Sequence, residues 1–522
     1  MNEGKTRFWN PVFIISLVVS LAIVVWAVGF NDNFSVASNW ILNFLEVRFG
    51  WLYLLSVMAI LIFGFAVAFS KYGNIKLGPD DSEPEYSTIT WFGMLFGCAM
   101  GIGLIFWGLS EPICHFAAEN IPGGIEPGTD AAAMFAFRST FMDWTFHPFA
   151  IYCVMGMGIG YMSFRKGKPQ LISSVLEPLV GEKLTKGWLG KLVDILAIFA
   201  TMCGIVTSLG LGTMQIGAGL SHLTGGVIPN TLATLIIIVA VISVIYIGTA
   251  AIGIDKGIAT VGNINLVLAS ALVILCFILG PTTDQLNNLI GGVGAYFQNF
   301  FQDSLLLNTY GDNSWTYGWR IFYWAWWIAW APFVGTFIAR ISRGRTIREF
   351  VIGAMVVPPL VAFIWVSVLG SMPITLFFNG TFSMDQLVTL SGTPEVALFI
   401  TFSHYPLGIV ISLIALVLII TFFVTSANSG TFALSMLSSE GDLNPPRTKM
   451  IFWGLIQSLL AIGMLMAGGL KPLQTMSVAS AFPFMFVLIA VMFAIPKALK
   501  TDRGPEEIVE GAADSAEQLE AE

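Results

Sequence analysis

The stretch RIFYWAWWIAWAPF, Arg320–Phe333, places Trp324, Trp326, Trp327 and Trp330 within a few positions of one another, and no charged residue follows Arg320 in it. Three readings are open for so dense a group of indoles: lipid-facing bulk, an interfacial aromatic belt, or the wall of a site for an organic cation. At about 100° per residue, Trp326, Trp330 and Phe333 fall on one stripe of a helix, Trp327 lies off it and Trp324 further round. The indoles therefore form no single lipid-facing patch, and some must point toward other protein.

The rest of the chain supplies the setting. Of its 522 residues, 56% are hydrophobic and only 11% charged, with a mean hydropathy of +0.80. Soluble proteins carry about 25% charged residues, so lipid must be part of this chain's solvent. Apolar runs of spanning length lie near 11–30, 50–70, 90–116, 137–163, 189–220, 228–250, 259–280, 316–340, 351–377, 405–437, 448–468 and 473–496. They predict twelve transmembrane helices, because lipid offers backbone groups no partner outside the segment and a barrel would show alternation instead. The first run follows the basic start MNEGKTR but lacks a small-residue cleavage site, so it is read as a helix rather than a leader.

Twenty of the 24 Lys and Arg residues fall in one set of loops, and only Arg48, Arg138, Arg320 and Lys471 in the other. The positive-inside rule puts the first set, and with it both termini, in the cytoplasm. An even helix count requires the same. The segment QLNNLIGGVGAYFQNFFQDS carries Leu286, Leu289, Ile290, Val293, Phe297, Phe300 and Phe301 at helical spacing, which predicts a helix lying along the outer surface. The tail after Lys500 is acidic and lacks aromatics, as disordered segments do.

Several function classes drop out. The five cysteines show no CxxC spacing, and the four histidines form no HExxH, so no zinc or disulfide framework is visible. Asp143, Asp194, Glu111, Glu395 and the histidines form no nucleophile–base or metal constellation in sequence, which argues against an enzyme. Nothing points to nucleic acid.

Three segments could carry chemistry. FGCAMGIGLIFWG holds Gly97, Gly101, Gly103 and Gly108; the glycines serve either close helix packing or an unwound stretch that offers carbonyls to a cation. RSTFMDWTFHPFAIYCVMG sets Trp144, Phe149 and Tyr152 around Pro148. Its Asp143 is either solvated near a helix end or an attractor for an entering cation. Pro332 predicts a further interruption in the tryptophan-rich helix. Finally, ITFFVTSANSGT places Thr425 and Ser426 side by side, either bonded back to their own helix or completing an oxygen site for a small cation. Indoles with no neighbouring buried acid point to cation–π recognition of a quaternary ammonium group, at ~2 kcal/mol per desolvated ring.

Together these motifs resemble the betaine/choline/carnitine transporter family. The most specific run is FYWAWWIAWAPFVGTFIARISRGRTIREF, supported by AMGIGLIFWGLSEP, LEPLVGEK, VDILAIFAT and FFVTSANS. The resemblance spans nearly the whole chain except the tail. It implies an all-α integral membrane protein with a LeuT-like arrangement of two inverted five-helix repeats after two N-terminal helices. The corresponding division is 1–88 for the first two helices, 89–280 for the first repeat, 281–312 for the surface helix and loop, 313–498 for the second repeat and 499–522 for the tail. It also implies a homotrimer in the bacterial inner membrane.

By motif position the resemblance implies a substrate cage of Trp144, Tyr152 and Trp327, with Trp324 and Trp326 close by, Trp330 toward the cytoplasm, and Met100, Gly101 and Gly103 on the unwound helix. Phe149 stands where glycine betaine symporters carry Trp. Gly103 keeps the glycine of betaine carriers, where choline carriers tend to have Asp. The main sodium site would use Gly97, Met100 and Phe422 through their backbone and Thr425 and Ser426 through their hydroxyls. A second would use Thr201 and Phe333, although its other hydroxyl position is Ile205 here. Sodium-independent exchangers of the family carry Arg at the position of Asn265. The expectation is a sodium-coupled importer of a trimethylammonium or sulfonium zwitterion, with no cofactor beyond the coupling ion. The alternative is a sodium-independent exchanger of carnitine-like betaines.

Overall fold

The computed structural model describes residues 8–99, 101–252 and 255–502. Among these the chain is helical throughout, apart from turns and one isolated bridge between Lys76 and Thr346. The N-terminal helices are α1 (Pro11–Gly29) and α2 (Asn31–Phe69). Then come α3 (Thr88–Ala99), α4 (Ile102–Phe116), α5 (Asp130–Trp144), α6 (Phe146–Gly160), α7 (Trp188–Leu223), α8 (Leu232–Ile252) and α9 (Asp255–Leu279). After them lies α10 (Thr282–Gln298), the expected surface helix. The remainder comprises α11 (Phe322–Arg340), α12 (Ile347–Phe378), α13 (Met384–Gly392), α14 (Pro394–Ser403), α15 (Gly408–Leu437), α16 (Arg447–Met466) and α17 (Leu470–Lys500).

Ten of the expected spans are single helical stretches long and apolar enough to cross a membrane. The other two, 90–116 and 137–163, are each broken into a pair, α3/α4 and α5/α6. The first break falls at the glycine-rich stretch, where Gly101 is extended (φ −143°, ψ −172°). The second falls at Thr145 (φ −115°, ψ −119°), before Pro148 rather than at it.

Four expectations need correction. The second helix begins at Asn31, not near residue 50. Pro332 does not interrupt α11, which runs through it as membrane helices can when neighbours enclose the bend; the irregularity lies earlier, in a π-helical turn at Tyr317–Ile321. Helices α13 and α14 were not foreseen. Their signals were local: a capping box at Ser383 and Gln386, and Pro394 in the first turn. Lastly, Arg138 and Arg320, counted with loop charges, are both in ion pairs, with Asp303 (3.1 Å) and Asp143.

The aromatic helix α11 sits at the centre, packed against α6, α7 and α17. Helix α10 turns Gln285, Gly292 and Tyr296 inward and leaves Leu286, Ile290 and Phe297 exposed, as is Phe301 just beyond it. Helix α15 packs against α7, α8, α9 and α16. Of the expected tail, 503–522 lies outside the described residues, as does Met100.

Candidate binding site

The break at Thr145 builds one wall of the site. A helix end leaves its last carbonyls without intrahelical partners, and the carbonyl of Asp143 accepts from Trp327 Nε1 at 2.8 Å. That bond fixes an α11 indole against the end of α5. The Trp144 and Trp327 rings then meet edge to face at 4.9 Å, Tyr152 lies 6.2 Å from Trp327, and Phe149 lies 6.0 Å from Tyr152. The structure thus brings four of the expected cage residues together, with Trp144, Tyr152 and Trp327 retaining 5–7% exposure. Beside them, a cavity of about 10 Å³ is lined by Leu95, Phe149, Tyr152 and Val334. That is room for about one water, so the rings are closed on one another in this conformation.

Trp326 stacks on Trp327 at 5.0 Å and lies 6.2 Å from Trp144. Below it is Gly103. A Cβ at that position would lie 2.7 Å from Trp326 Cη2 and 3.0 Å from Trp144 Cη2, so glycine is what lets α4 approach the two rings. Trp330 shares the stripe with Trp326: both reach Gly204 of α7, Trp326 through Nε1 to its carbonyl (3.4 Å) and Trp330 by packing over its Cα. Trp324 does not join the cage. It stacks on His147 at 4.8 Å, and Arg320 sits over its other side at 5.6 Å.

The expectation of indoles without a neighbouring buried acid is wrong. Glu111 of α4 is fully buried behind the cage. Its Oε2 accepts from Trp144 Nε1 (2.8 Å) and from the Tyr323 hydroxyl, and its Oε1 lies 3.2 Å from His115 Nε2. Trp315 donates to His115 Nδ1 at 3.3 Å. An indole can only donate, so His115 keeps its hydrogen on Nε2 and gives it to Glu111. Asp143 is not solvated either: it is wholly buried and paired with Arg320, which also donates to the Ser139 carbonyl. Glu111, His115 and Asp143 bring ligand atoms within 4.8 Å of one another. Those atoms face Trp144, Tyr323, Trp315 and Arg320, all of them hydrogen donors, which makes the group a hydrogen-bond hub rather than a metal centre. Sequence reading noted Glu111 only as an isolated acid. Its place one helical turn from His115 was the available signal.

The proposed ion ligands are less gathered. Gly97 lies in the last turn of α3 and is exposed, and Met100 is outside the described residues. Ile102, opening α4, and Phe423 of α15 both lie against Gly212 of α7, so the start of α4 and the Phe422–Ser426 stretch share a neighbour. Ser426 is half-buried. Thr425 donates to the Thr421 and Phe422 carbonyls (3.0 and 3.2 Å) and accepts from Asn265 Nδ2 (3.2 Å). Thr201 is buried, and its hydroxyl has no hydrogen-bond partner among the described residues. Phe333 packs on Trp330 at 5.4 Å.

Comparison with known proteins identifies the family. The sequence profile described as "BCCT, betaine/carnitine/choline family transporter" matches residues 11–504. The chain is 41% identical to a probable glycine betaine transporter of Desulfitobacterium hafniense, over 96% of this chain and 100% of that one. It is 42% identical to the glycine betaine transporter OpuD of Bacillus subtilis, over 95% of each. It is 38% identical to an ectoine/hydroxyectoine transporter of Virgibacillus pantothenticus, over 95% and 97%. With ten helices among the described residues long enough to span a membrane, these matches make the chain a member of the betaine/carnitine/choline family, whose members are transporters and not enzymes.

Proposed function

We propose that this protein imports a zwitterion bearing a quaternary ammonium or sulfonium group, such as glycine betaine, driven by sodium and by alternating access. The observation that carries the reading is the Trp144–Tyr152–Trp327 ring cluster, closed over Gly103. Such a ligand has no N–H to donate, and ring faces stabilise its charge without a formal anion. Glu111 does not alter this, because its oxygens face ring donors and His115 rather than open space. Phe149 in place of a larger indole leaves a looser wall, which suits a wider range of zwitterions. Ectoine belongs in the test panel because one relative carries that name.

Sodium coupling is supported by Thr425 and Ser426, by the unpartnered Thr201 hydroxyl, and by Asn265 bonded to Thr425 where a fixed guanidinium would mark a sodium-independent exchanger. One sodium ion entering down 100 mV gives ~2.3 kcal/mol. At ~1.4 kcal/mol per decade that is roughly fiftyfold accumulation. The alternative, exchange of carnitine-like betaines, is favoured by one observation: Ile205 supplies no oxygen to the second ion position.

The surrounding architecture follows the same reading: two inverted repeats, both termini in the cytoplasm of a bacterial cell, and a homotrimer assembled through the exposed apolar face of α10. Radiolabelled glycine betaine uptake into proteoliposomes, with and without an inward sodium gradient, tests the function. Sodium-driven accumulation is the expected result, and Thr425→Ala should raise the sodium concentration needed. Exchange from preloaded vesicles that ignores sodium would establish the alternative instead.

A further inference from the structure

An amide–threonine pair recurs three times along α15, at its seams with α9, α8 and α16. Asn265 of α9 donates to the Thr425 hydroxyl at 3.2 Å. Asn428 of α15 donates to the Thr249 hydroxyl of α8 at 2.8 Å. Gln457 of α16 donates to the Thr431 hydroxyl at 3.4 Å. In each pair the threonine hydrogen is already committed to a carbonyl of its own helix: Thr425 to Thr421, Thr249 to Tyr246 at 2.9 Å, and Thr431 to Ala427 at 2.7 Å. A hydroxyl has one hydrogen, so each threonine can only accept from its amide neighbour. That settles which way each amide faces: the NH2 group meets threonine, and the carbonyl oxygen points away.

Those three oxygens, Asn265 Oδ1, Asn428 Oδ1 and Gln457 Oε1, are buried and have no partner among the described residues. The residues that carry them are 3%, 2% and 0% exposed. An unmet acceptor of this kind costs roughly 1–3 kcal/mol, and the cost is incurred three times along one helix. Positions 425, 428 and 431 climb α15 in steps of about 4.5 Å, so the three amide–threonine pairs follow one another along the helix, starting at Thr425. All three are acceptors, and no carboxylate takes part in the motif. Beyond the row, Lys449 Nζ is bonded to the Ser438 carbonyl at 2.7 Å.

We propose that the three amide oxygens form a passage for a partly hydrated monovalent cation along α15, from Thr425 to Gln457. The inference rests on the sodium-coupled reading and extends it from where the ion binds to how it leaves. Single neutral oxygens hold a cation weakly, as a release route requires: favourable enough to enter, weak enough to leave. The fixed charge of Lys449 beyond the last oxygen keeps that final contact from becoming a trap.

The test compares wild type, Asn428→Leu and Asn428→Asp in proteoliposomes, with sodium and glycine betaine as the probes. Equilibrium sodium affinity is read from tryptophan fluorescence and uptake from radiolabelled substrate. In Asn428→Leu the affinity should stay within about twofold while the sodium-driven uptake rate falls about tenfold. Asn428→Asp should hold the cation more tightly, so that uptake slows while the half-saturating sodium concentration drops. Wild-type uptake rates in both variants would overturn the proposal and leave water alone on the row. So would a loss of equilibrium binding that matches the loss of uptake, because Asn428 would then belong to the first ion position. If Asn428→Leu does not fold, Asn428→Asp and Gln457→Met decide on the same two readouts. A wild-type protein indifferent to sodium is a separate result, seen before any variant is compared; it removes the coupled reading and the passage with it.

Discussion

The N-terminal half of α11 and the seams of α15 with α8, α9 and α16 treat buried polarity differently. Around α11, Glu111 accepts from Trp144 and Tyr323, Trp327 donates to the Asp143 carbonyl, and Arg320 meets Asp143, even though Asp143 Oδ2, Arg320 Nε and Trp324 Nε1 have no further partner among the described residues. Along α15, Asn265, Asn428 and Gln457 each use their donors and leave an oxygen unmet. Paired groups lock rings into one geometry, which a soft, weakly hydrated cation needs. Unmet oxygens suit a small ion that must exchange ligands as it moves. Under the proposed function, the difference would give rigidity to the organic substrate and loose, replaceable contacts to the ion.

The sharpest way to break the contrast is to unpair the α11 network. Arg320→Met leaves Asp143 buried without its partner, and should cost about 3–5 kcal/mol of stability. Thermal unfolding in detergent reads this, and the double variant Asp143→Leu/Arg320→Met should recover most of the loss. Next in size is Trp327→Ala. Losing one desolvated ring at ~2 kcal/mol weakens glycine betaine binding roughly thirtyfold, measurable by calorimetry; unchanged affinity would remove Trp327 from the cage. A smaller effect separates Glu111→Ala from Glu111→Gln. Alanine leaves Trp144 Nε1 and the Tyr323 hydroxyl without an acceptor and should weaken binding about tenfold, whereas glutamine keeps one acceptor oxygen and most of the affinity. The smallest is Phe149→Trp, where the larger ring should tighten binding about threefold and narrow the substrate range; competition by ectoine reports the narrowing.

What the sequence disclosed follows the same division. Lipid imposes length and apolarity on every span, so the ten unbroken helices were readable from local composition. The α3/α4 break was one of two readings of its glycines, because a short run of Gly97, Gly101 and Gly103 weakens a helix wherever it occurs. The aromatic stripe was readable too: Trp326 and Trp330 do face one partner, Gly204. The sequence hid whatever depended on distant pairing. Arg320 and Asp143 lie far apart along the chain, and each looked like a loop charge until folding joined them. Trp324 sits close to the cage in sequence and turns away from it in space. Pro332 carries a breaker's signature, yet helices packed around α11 hold it straight enough to continue. The polar row along α15 needed three neighbouring helices before its unmet oxygens could be seen.

Gly103 has a bearing on ancestry as well as on packing. Because an added carbon there would lie 2.7 Å from Trp326 Cη2 and 3.0 Å from Trp144 Cη2, an exchange at this position has to be met by a shift of those indoles. The aspartate that choline carriers tend to have at the matching place would meet Trp326 and Trp144 before it could meet a ligand. A lineage moving from zwitterions to fully cationic substrates would have to make room beside Trp326 as well as accept the acid, so a smaller residue at 326 should ease the exchange at 103.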